Sequence, residues 1–373
     1  MTATGKRKPR PAALIVTPRY LPLLGGMERE CALLAAEFAR RGFEPVIVTE
    51  QLGERLPRHE YTEGIEVFRI PSSPKRSSAV QAKVAARLAW LVVRHRRRAA
   101  FAVVRTMTLP ALVIGLLKAL RIITFPTLVT AETGGADDDV VALSRRPFFR
   151  ASRFIVGSND RLNGLCVANV DHLHANAFPK AKIINIPNGI DTRVWAATKA
   201  PERVSRFLFL GRIERNKGVF ELVEAFASLR GRAPDAELRV AGEGDDTAAL
   251  AARCVALGIS DAVEFLGRIE YEHLGALFES IDCLVLPSYS EGMPLSVLEA
   301  AAHHRVLVVS DVGDIRRLFG DRIHLCRPRD AAALEAAMEA ATASQPVTDY
   351  GDVIERVSIG TVAGQMLAEL GLT

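Results

Sequence analysis

The stretch RFLFLGRIERNKGVFELVEAFASLRG, residues 206–231, decides the fold. RFLFL is a short run of large apolar residues, the mark of a strand buried on both faces of a parallel sheet. Gly211 and Gly218 bracket a charged turn, and GVFELVEAFASLRG then spaces its apolar residues at helical intervals. Strand, glycine-marked turn and helix make one unit of an α/β fold. The unit recurs downstream. AELRVAG (236–242) and AVEFLG (262–267) read as strands, EHLGALFESI (272–281) as a helix and CLVLPS (283–288) as a strand. PLSVLEAAAH (294–303) reads as a helix and RVLVVS (305–310) as a strand.

The upstream half alternates in the same way. AALIVTP (12–18), EPVIVTE (44–50), IEVFRIP (65–71), FAVVR (101–105), TLVTAE (127–132), RFIVGS (153–158) and AKIINIP (181–187) are the expected strands. A helix is expected from about residue 27, where Met27, Cys31, Leu34 and Phe38 share a face and Gly42 ends it. AVQAKVAARLAWLVVRHRRR (79–98) and LPALVIGLLKALR (109–121) are further helices. The run PNGIDTRVWAATKAPERVS (187–205) has turn residues and no period, so it divides the chain. The expected organisation is a basic, disordered tail at 1–11 and an α/β domain at 12–192. A linker at 193–203 and a second α/β domain at 204–351 follow, and a single last helix over 352–373 returns to the first domain.

Composition sets bounds. A chain of 373 residues with 49% hydrophobic and 24% charged residues has material for two ordinary cores. Five scattered cysteines without a C-x-x-C pair argue for reduced thiols and against a disulfide framework or a zinc site. The N-terminal MTATGKRKPRP is basic, but no apolar leader core follows it, which gives the expectation of a cytoplasmic protein. The most apolar stretch, LPALVIGLLKALRIITF, contains Lys118 and Arg121 and is short for a bilayer span.

Four loops stand at expected strand ends. In TPRYLPLLGGMERE, Gly25 and Gly26 precede a helix whose free N–H groups could meet an anion, yet no G-x-G-x-x-G dinucleotide motif is present, and this loop alone favours an ordinary strand-to-helix turn. In GRIERNKG, Arg212 and Lys217 flank a helix start and suit a diphosphate, the plain alternative being a solvated turn, since Arg215 and Lys217 are ordinary surface types. AGEGDD and LGRIEYEH are two weaker glycine-marked loops. In SEGMPLSVLEAA (290–301), Pro294 fits the first helical position, Glu291 lies in the loop and Glu299 in the second turn. A carboxylate accepts from two neighbouring sugar hydroxyls, so the two acids could hold a sugar and a ribose, with the first-turn amides meeting phosphate between them. The plain alternative for Glu299 is an exposed glutamate on a helix face.

The succession GGMERE, IPNGID, FLGRIERNKG, RVAGEGD, VEFLGRI, LVLPSYSEGMPLSVLEA and VVSDVGD resembles retaining glycosyltransferase family 4 over nearly the whole chain. The resemblance implies the GT-B fold, two doubly wound Rossmann-like α/β domains facing a cleft, with 12–192 on the acceptor side and 204–351 binding the nucleotide sugar. It implies that Gly25 and Gly26 meet the donor diphosphate and that Arg212 and Lys217 neutralise the departing nucleoside diphosphate. Glu291 would contact donor-sugar hydroxyls and Glu299 the ribose, the amides of Met293 and Leu295 would support phosphate, and Arg268 would lie near the base. No metal and no cofactor beyond the nucleotide-sugar donor, UDP first among the bases, is then expected. Where many members carry a histidine this chain has Glu132, which could bind the donor sugar or the acceptor. Asp137, Asp138 and Asp139 either order the acceptor loop or are a solvated acidic loop. His303 and His304 replace a small-Gly-x-Pro element and are expected to be structural.

One helix stands apart. Lys83, Arg87, Arg94 and Arg98 recur at helical spacing with Trp90, Arg96 and Arg97 add charge, and Val80, Val84, Leu88 and Leu91 form an apolar face. Such a helix suits an anionic membrane surface, although a solvated basic face on a packed helix reads the same. No nucleic-acid module accompanies it. The expected activity is transfer of a hexose or N-acetylhexosamine to a hydroxyl of a lipid-linked or cell-surface glycan, peripheral to the inner face of the membrane. The other readings are a sugar-nucleotide epimerase of the same fold and a silent binding subunit.

Overall fold

The computed structural model describes residues 10–22, 25–51, 56–73, 77–132, 138–193, 199–343 and 345–372. The chain forms two units, the first from residues 1–189 and 359–373 and the second from 190–358. The first holds β1 (Ala12–Thr17), α1 (Gly26–Arg40), β2 (Glu44–Gln51), β3 (His59–Thr62), β4 (Ile65–Pro71), α2 (Ser78–His95), β5 (Ala99–Arg105) and α3 (Leu109–Ala119). It continues with β6 (Thr127–Ala131), α4 (Asp139–Ser144), α5 (Phe149–Val156), β7 (Arg161–Gly164), α6 (Val167–Ala175) and β8 (Ile183–Ile184). Its sheet runs β3-β4-β2-β1-β5-β6-β7-β8, parallel except for the β3–β4 pair. Strand alternation sorts the core onto two faces. Leu14, Val16, Ala102 and Val104 join one apolar cluster with Val84 and Leu88 of α2 and Ile114 of α3. Ala13, Ile15, Phe101 and Val103 join the other, with Leu34 and Phe38 of α1.

The second unit holds β9 (Arg206–Leu210), α7 (Val219–Arg230), β10 (Glu237–Ala241), α8 (Thr247–Ala256), β11 (Val263–Gly267), α9 (Leu274–Glu279) and β12 (Cys283–Leu286). It continues with α10 (Leu295–Ala302), β13 (Val306–Ser310), α11 (Ile315–Phe319), β14 (His324–Cys326), α12 (Ala331–Ala343) and α13 (Gly351–Val357). Its sheet is parallel in the order β11-β10-β9-β12-β13-β14. A last helix, α14 (Ile359–Glu369), belongs to the first unit. There Arg41 donates to the Gly360 carbonyl at 2.7 Å and Arg161 to Glu369 at 2.8 Å. Both units are thus Rossmann-like.

Four expectations are corrected. RFIVGS is not a strand: its first residues belong to α5, where Val156 is buried and Phe154 exposed. A short apolar run does not distinguish strand from helix. The strand is the polar RLNG, possible because buried Asn163 pairs with the backbone of Ile186 on both sides, at 3.0 and 2.7 Å. AKIINIP keeps only two strand residues. The single last helix is two, broken at Ser358, whose ψ of 139° is extended. Pro294 is the cap of α10 at ψ 119°, not its first residue. The tail at 1–9 and linker residues 194–198 lie outside the described residues.

Candidate active site

Parallel strands bring their carboxyl ends to one edge, and in the second unit the strand order reverses between β9 and β12. Ligands of open α/β sheets sit at such a reversal. Lys217, in the turn after β9, and Glu291, in the loop after β12, meet across it. Lys217 Nζ donates to Glu291 Oε1 at 2.6 Å, with the side chains 19% and 14% exposed. Two glycines make this approach possible. Gly218, at φ +69°, puts its α-carbon hydrogens against the Pro287 carbonyl, where a Cβ would come within 2.1 Å. Gly313, at φ +59°, lies on the Gly292 and Glu291 carbonyls, which a Cβ would meet at 2.5 and 2.7 Å. Side groups tie the loops further. The Tyr289 amide donates to the Asn216 carbonyl at 2.9 Å and its hydroxyl to Glu221 at 2.6 Å. Burial and then Glu221 push that phenol up to about 12. The Arg215 amide donates to Asp246 in the loop after β10, at 2.7 Å.

The other expected residues of this unit are placed as follows. Glu299 is 1% exposed in α10, which overturns the exposed-glutamate alternative. Met293 and Leu295 are buried, and Leu295 opens α10, so its N–H belongs to the set without an intrahelical acceptor. Arg212 is exposed and pairs with Glu214 two residues on. Arg268 follows the edge strand β11, exposed and 3.4 Å from Glu270. His303 is buried against the Phe278 ring at 4.9 Å, and burial pushes it down to about 4. His304 bonds the Thr348 carbonyl.

The first unit has its own polar cluster at its own reversal, between β1 and β5. Arg105 ends β5 and is fully buried. Its Nη2 donates to Glu132 Oε2 at 2.8 Å, to Glu30 Oε2 of α1 at 2.5 Å and to Asn188 Oδ1 at 3.3 Å, and its Nε donates to Glu132 Oε1. Glu30 also accepts from the Gly189 amide at 3.0 Å. Asp139 accepts from the amides of Met107 and Glu132, both at 3.1 Å. Asp138 caps α4 and accepts from Asn169 and His172. These two aspartates are buried struts, not a solvated loop, and Asp137 lies outside the described residues. Burial, against the pull of Arg105, raises Glu132 to about 7. Gly25 is the extended cap of α1 and Gly26 its first residue. A Cβ at Gly25 would come 2.3 Å from the Glu28 carboxylate, which could swing away.

Arg105 and Glu30 escaped the sequence reading. A lone arginine closing FAVVR was the available signal, since a charge at the end of a buried strand needs a partner.

On α2, Lys83, Arg87, Trp90 and Arg94 are exposed, with the guanidiniums of Arg87 and Arg94 at 4.1 and 5.4 Å from the Trp90 ring; the helix ends at His95 rather than at 98, and Arg96 and Arg97 are exposed in the turn after it. Arg98 differs: it pairs with Glu44 at 2.7 Å and Glu66 at 3.7 Å, so its charge is balanced internally. At the amino ends of β9, β10 and β12 a polar concavity is lined by Arg203, Arg206, Asp235, Asp282 and Arg305. Its arginines are engaged by Asp235, Asp282 and backbone carbonyls. Among the described residues no group of His, Cys, Asp and Glu could hold a metal ion, the five cysteines are buried and unpaired to one another, and no helix is long and apolar enough to cross a membrane.

Residues 25–189 match the family model of a glycosyl transferase 4-like domain, and residues 194–353 that of glycosyl transferases group 1. Glycogen synthase of Mycobacterium tuberculosis is 32% identical over 218 residues, 57% of this chain; the match spans 52% of that relative, about half its length. A phosphatidylinositol N-acetylglucosaminyltransferase component of Arabidopsis thaliana is 21% identical over 94% of this chain and 78% of its own. Among solved structures, Anabaena Alr3699/HepE in complex with UDP superposes with a TM-score of 0.72 at 15% identity, over 97% of this chain and all of that one.

Proposed function

The chain belongs to the GT-B glycosyltransferase superfamily, and on that premise we propose that it is a retaining transferase of family 4. It moves a hexose or N-acetylhexosamine from a nucleoside diphosphate, UDP first among them, to a hydroxyl of a lipid-linked or cell-surface glycan. The observation that carries this reading is the Lys217–Glu291 pair across the strand-order reversal. A nucleotide sugar offers each partner a better one: the phosphate takes the ammonium and the sugar hydroxyls take the carboxylate. Glu299, buried in α10, takes the ribose hydroxyls, and the first amides of α10 point to phosphate. As the bond from the anomeric carbon to the diphosphate breaks, its electron pair goes to the phosphate oxygen. Lys217 and the long exposed Arg212 take up that charge, the role a metal would otherwise fill. The acceptor oxygen bonds on the same face, and its proton leaves to the carboxylate that accepts its hydrogen bond. A UDP complex of a structural neighbour and a phosphatidylinositol-named relative are consistent with this donor and acceptor class.

A second observation favours a membrane-linked acceptor. No Asp or Glu stands between Glu66 and Glu132. Six of the ten exposed large apolar side chains of the described residues (Trp90, Leu116, Leu120, Ile122, Phe148 and Phe154) lie on or beside α2, α3 and α5. These helices pack in the order α2–α3–α5. Basic charge without acid, beside protruding aromatics, suits an anionic bilayer surface.

The test is thermal stabilisation by UDP, GDP, ADP, TDP and NAD without added metal. One nucleoside diphosphate is expected to stabilise the protein, the effect being lost in Arg212→Ala and weakened in Glu299→Ala, while Glu291→Ala removes most turnover. No stabilisation by any of the five would leave the silent-subunit reading.

A further inference from the structure

We propose that Arg105, backed by Glu30, is a positioning residue that holds the Glu132 carboxylate where it accepts a hydrogen bond from the attacking hydroxyl. The inference rests on the transferase reading above. It starts from graded burial. The side chains of Arg105 and Glu30 are 0% exposed, whereas that of Glu132 is 8% exposed. Of these three, Glu132 alone reaches the surface of its unit, and the other two stand behind it.

The grip is directional. Arg105 engages both oxygens of Glu132 through Nε and Nη2, the two-point geometry that a guanidinium imposes on a carboxylate and an ammonium cannot. Arg105 is itself fixed from behind by Glu30 and Asn188, and Glu30 by the Gly189 amide. The Glu132 amide is held by Asp139. Glu132 is therefore gripped at main chain and side chain.

The cluster also has more acid than structure needs. One carboxylate would neutralise a buried arginine, and a hydrophobic replacement would be no less stable. Here Arg105 faces two, Glu30 and Glu132, with Asp139 beside them. The surplus acid sits at the wet edge, at the carboxyl end of β6, one strand beyond the reversal between β1 and β5, the same edge of the sheet at which Arg105 closes β5. A carboxylate kept there at the expense of stability serves a ligand.

Charge couples the three residues. The groups facing Glu132 are Arg105 on β5, Glu30 and Cys31 on α1 and Asp139 on α4. Burial raises its pKa to about 7, Arg105 pulls it down, and Glu30 and Asp139 push it up. Removing Glu30's charge must therefore lower the pKa, so that Glu132 is ionised at lower pH. Replacing Arg105 by lysine keeps a cation but loses the two-point grip.

The experiment uses the full chain labelled with 13C at the glutamate Cδ, the Glu132 signal being assigned by its loss in Glu132→Gln. In parallel, UDP release is followed from UDP-glucose, UDP-galactose and UDP-N-acetylglucosamine across pH, with water in place of the acceptor. In Glu30→Gln the carboxyl midpoint is expected to fall, and the acidic limb of turnover to fall with it. In Arg105→Lys, turnover at the optimum is expected to drop by about 10- to 100-fold at unchanged donor KM. UDP stabilisation is expected to survive in both variants, because Lys217, Glu291 and Glu299 lie in the second unit. A limb that stays put while the carboxyl midpoint moves, or full turnover in Arg105→Lys, would overturn the inference with the transferase reading intact. If no nucleoside diphosphate binds the wild type, the transferase reading fails first. Should Arg105→Lys not fold, Glu30→Gln decides alone.

Discussion

Glu291 and Lys217 are 74 residues apart in sequence and 2.6 Å apart in space, and backbone without side chains makes that possible. Gly313 carries the argument, because its φ of +59° disfavours any side chain and a Cβ would strike the carbonyls under Glu291. Gly313→Ala is expected to cost about 1–3 kcal/mol, read by denaturant unfolding, and to weaken UDP binding as the Glu291 loop shifts. Unchanged stability and unchanged binding would deny the loop its supporting role. His303 tests burial rather than chemistry. Its pKa, about 4 in the fold against 6.5 for an exposed histidine, makes the unfolded chain bind more protons between those values. Stability on this account is present above pH 6.5 and lost as pH falls towards 4, by up to about 3 kcal/mol. Comparing His303→Gln with wild type isolates the effect, since the variant should show a shallower acid loss.

Among elements, α2 shows how a helix serves two masters. Ser77 caps it through a bond from the Val80 amide, and Val84, Leu88, Leu91 and Val92 bury one face. The opposite face carries Lys83, Arg87, Arg94 and Trp90. The basic stripe was legible from its spacing. Its continuation was not: Phe154 belongs to α5 and Phe148 caps it, and the exposed face they share is known only once α5 is seen as a helix. Sedimentation with vesicles separates the contributions. Charge removal at Arg87, Arg94, Arg96 and Arg97 is expected to abolish binding to phosphatidylglycerol vesicles at physiological salt. Phe148→Ser with Phe154→Ser is expected to weaken it at every salt concentration. Equal binding to neutral phosphatidylcholine, or no change in either variant, would remove the membrane from the account.

For the whole molecule, each unit repeats one plan. A parallel sheet reverses its strand order, and at the reversal a cation from one side meets a carboxylate from the other: Arg105 with Glu30, Lys217 with Glu291. Each unit also owns its core. Donor binding is therefore expected to act first on the second unit. At about 100 times its Kd, UDP should stabilise the native state by about 2.7 kcal/mol. Hydrogen exchange should slow around residues 211–222 and 289–299 more than in β1 or β6. Protection spread evenly over both units would contradict a donor site built from the second.

The sequence by itself determined the α/β class, both repeats of strand and helix, and the motifs around Lys217, Glu291 and Glu299. These rest on local information, namely periods of two and 3.6, glycine at turns and charge beside helix starts. Only the tertiary structure decided which charges meet. Arg105 draws partners from 27, 75 and 83 residues away, and Glu299 becomes buried because neighbouring elements close over α10. It also decided that RFIVGS bends into a helix while polar RLNG enters the sheet, because Asn163 finds backbone partners that only the fold supplies. Burial and pairing depend on residues remote in sequence, and no local pattern encodes them.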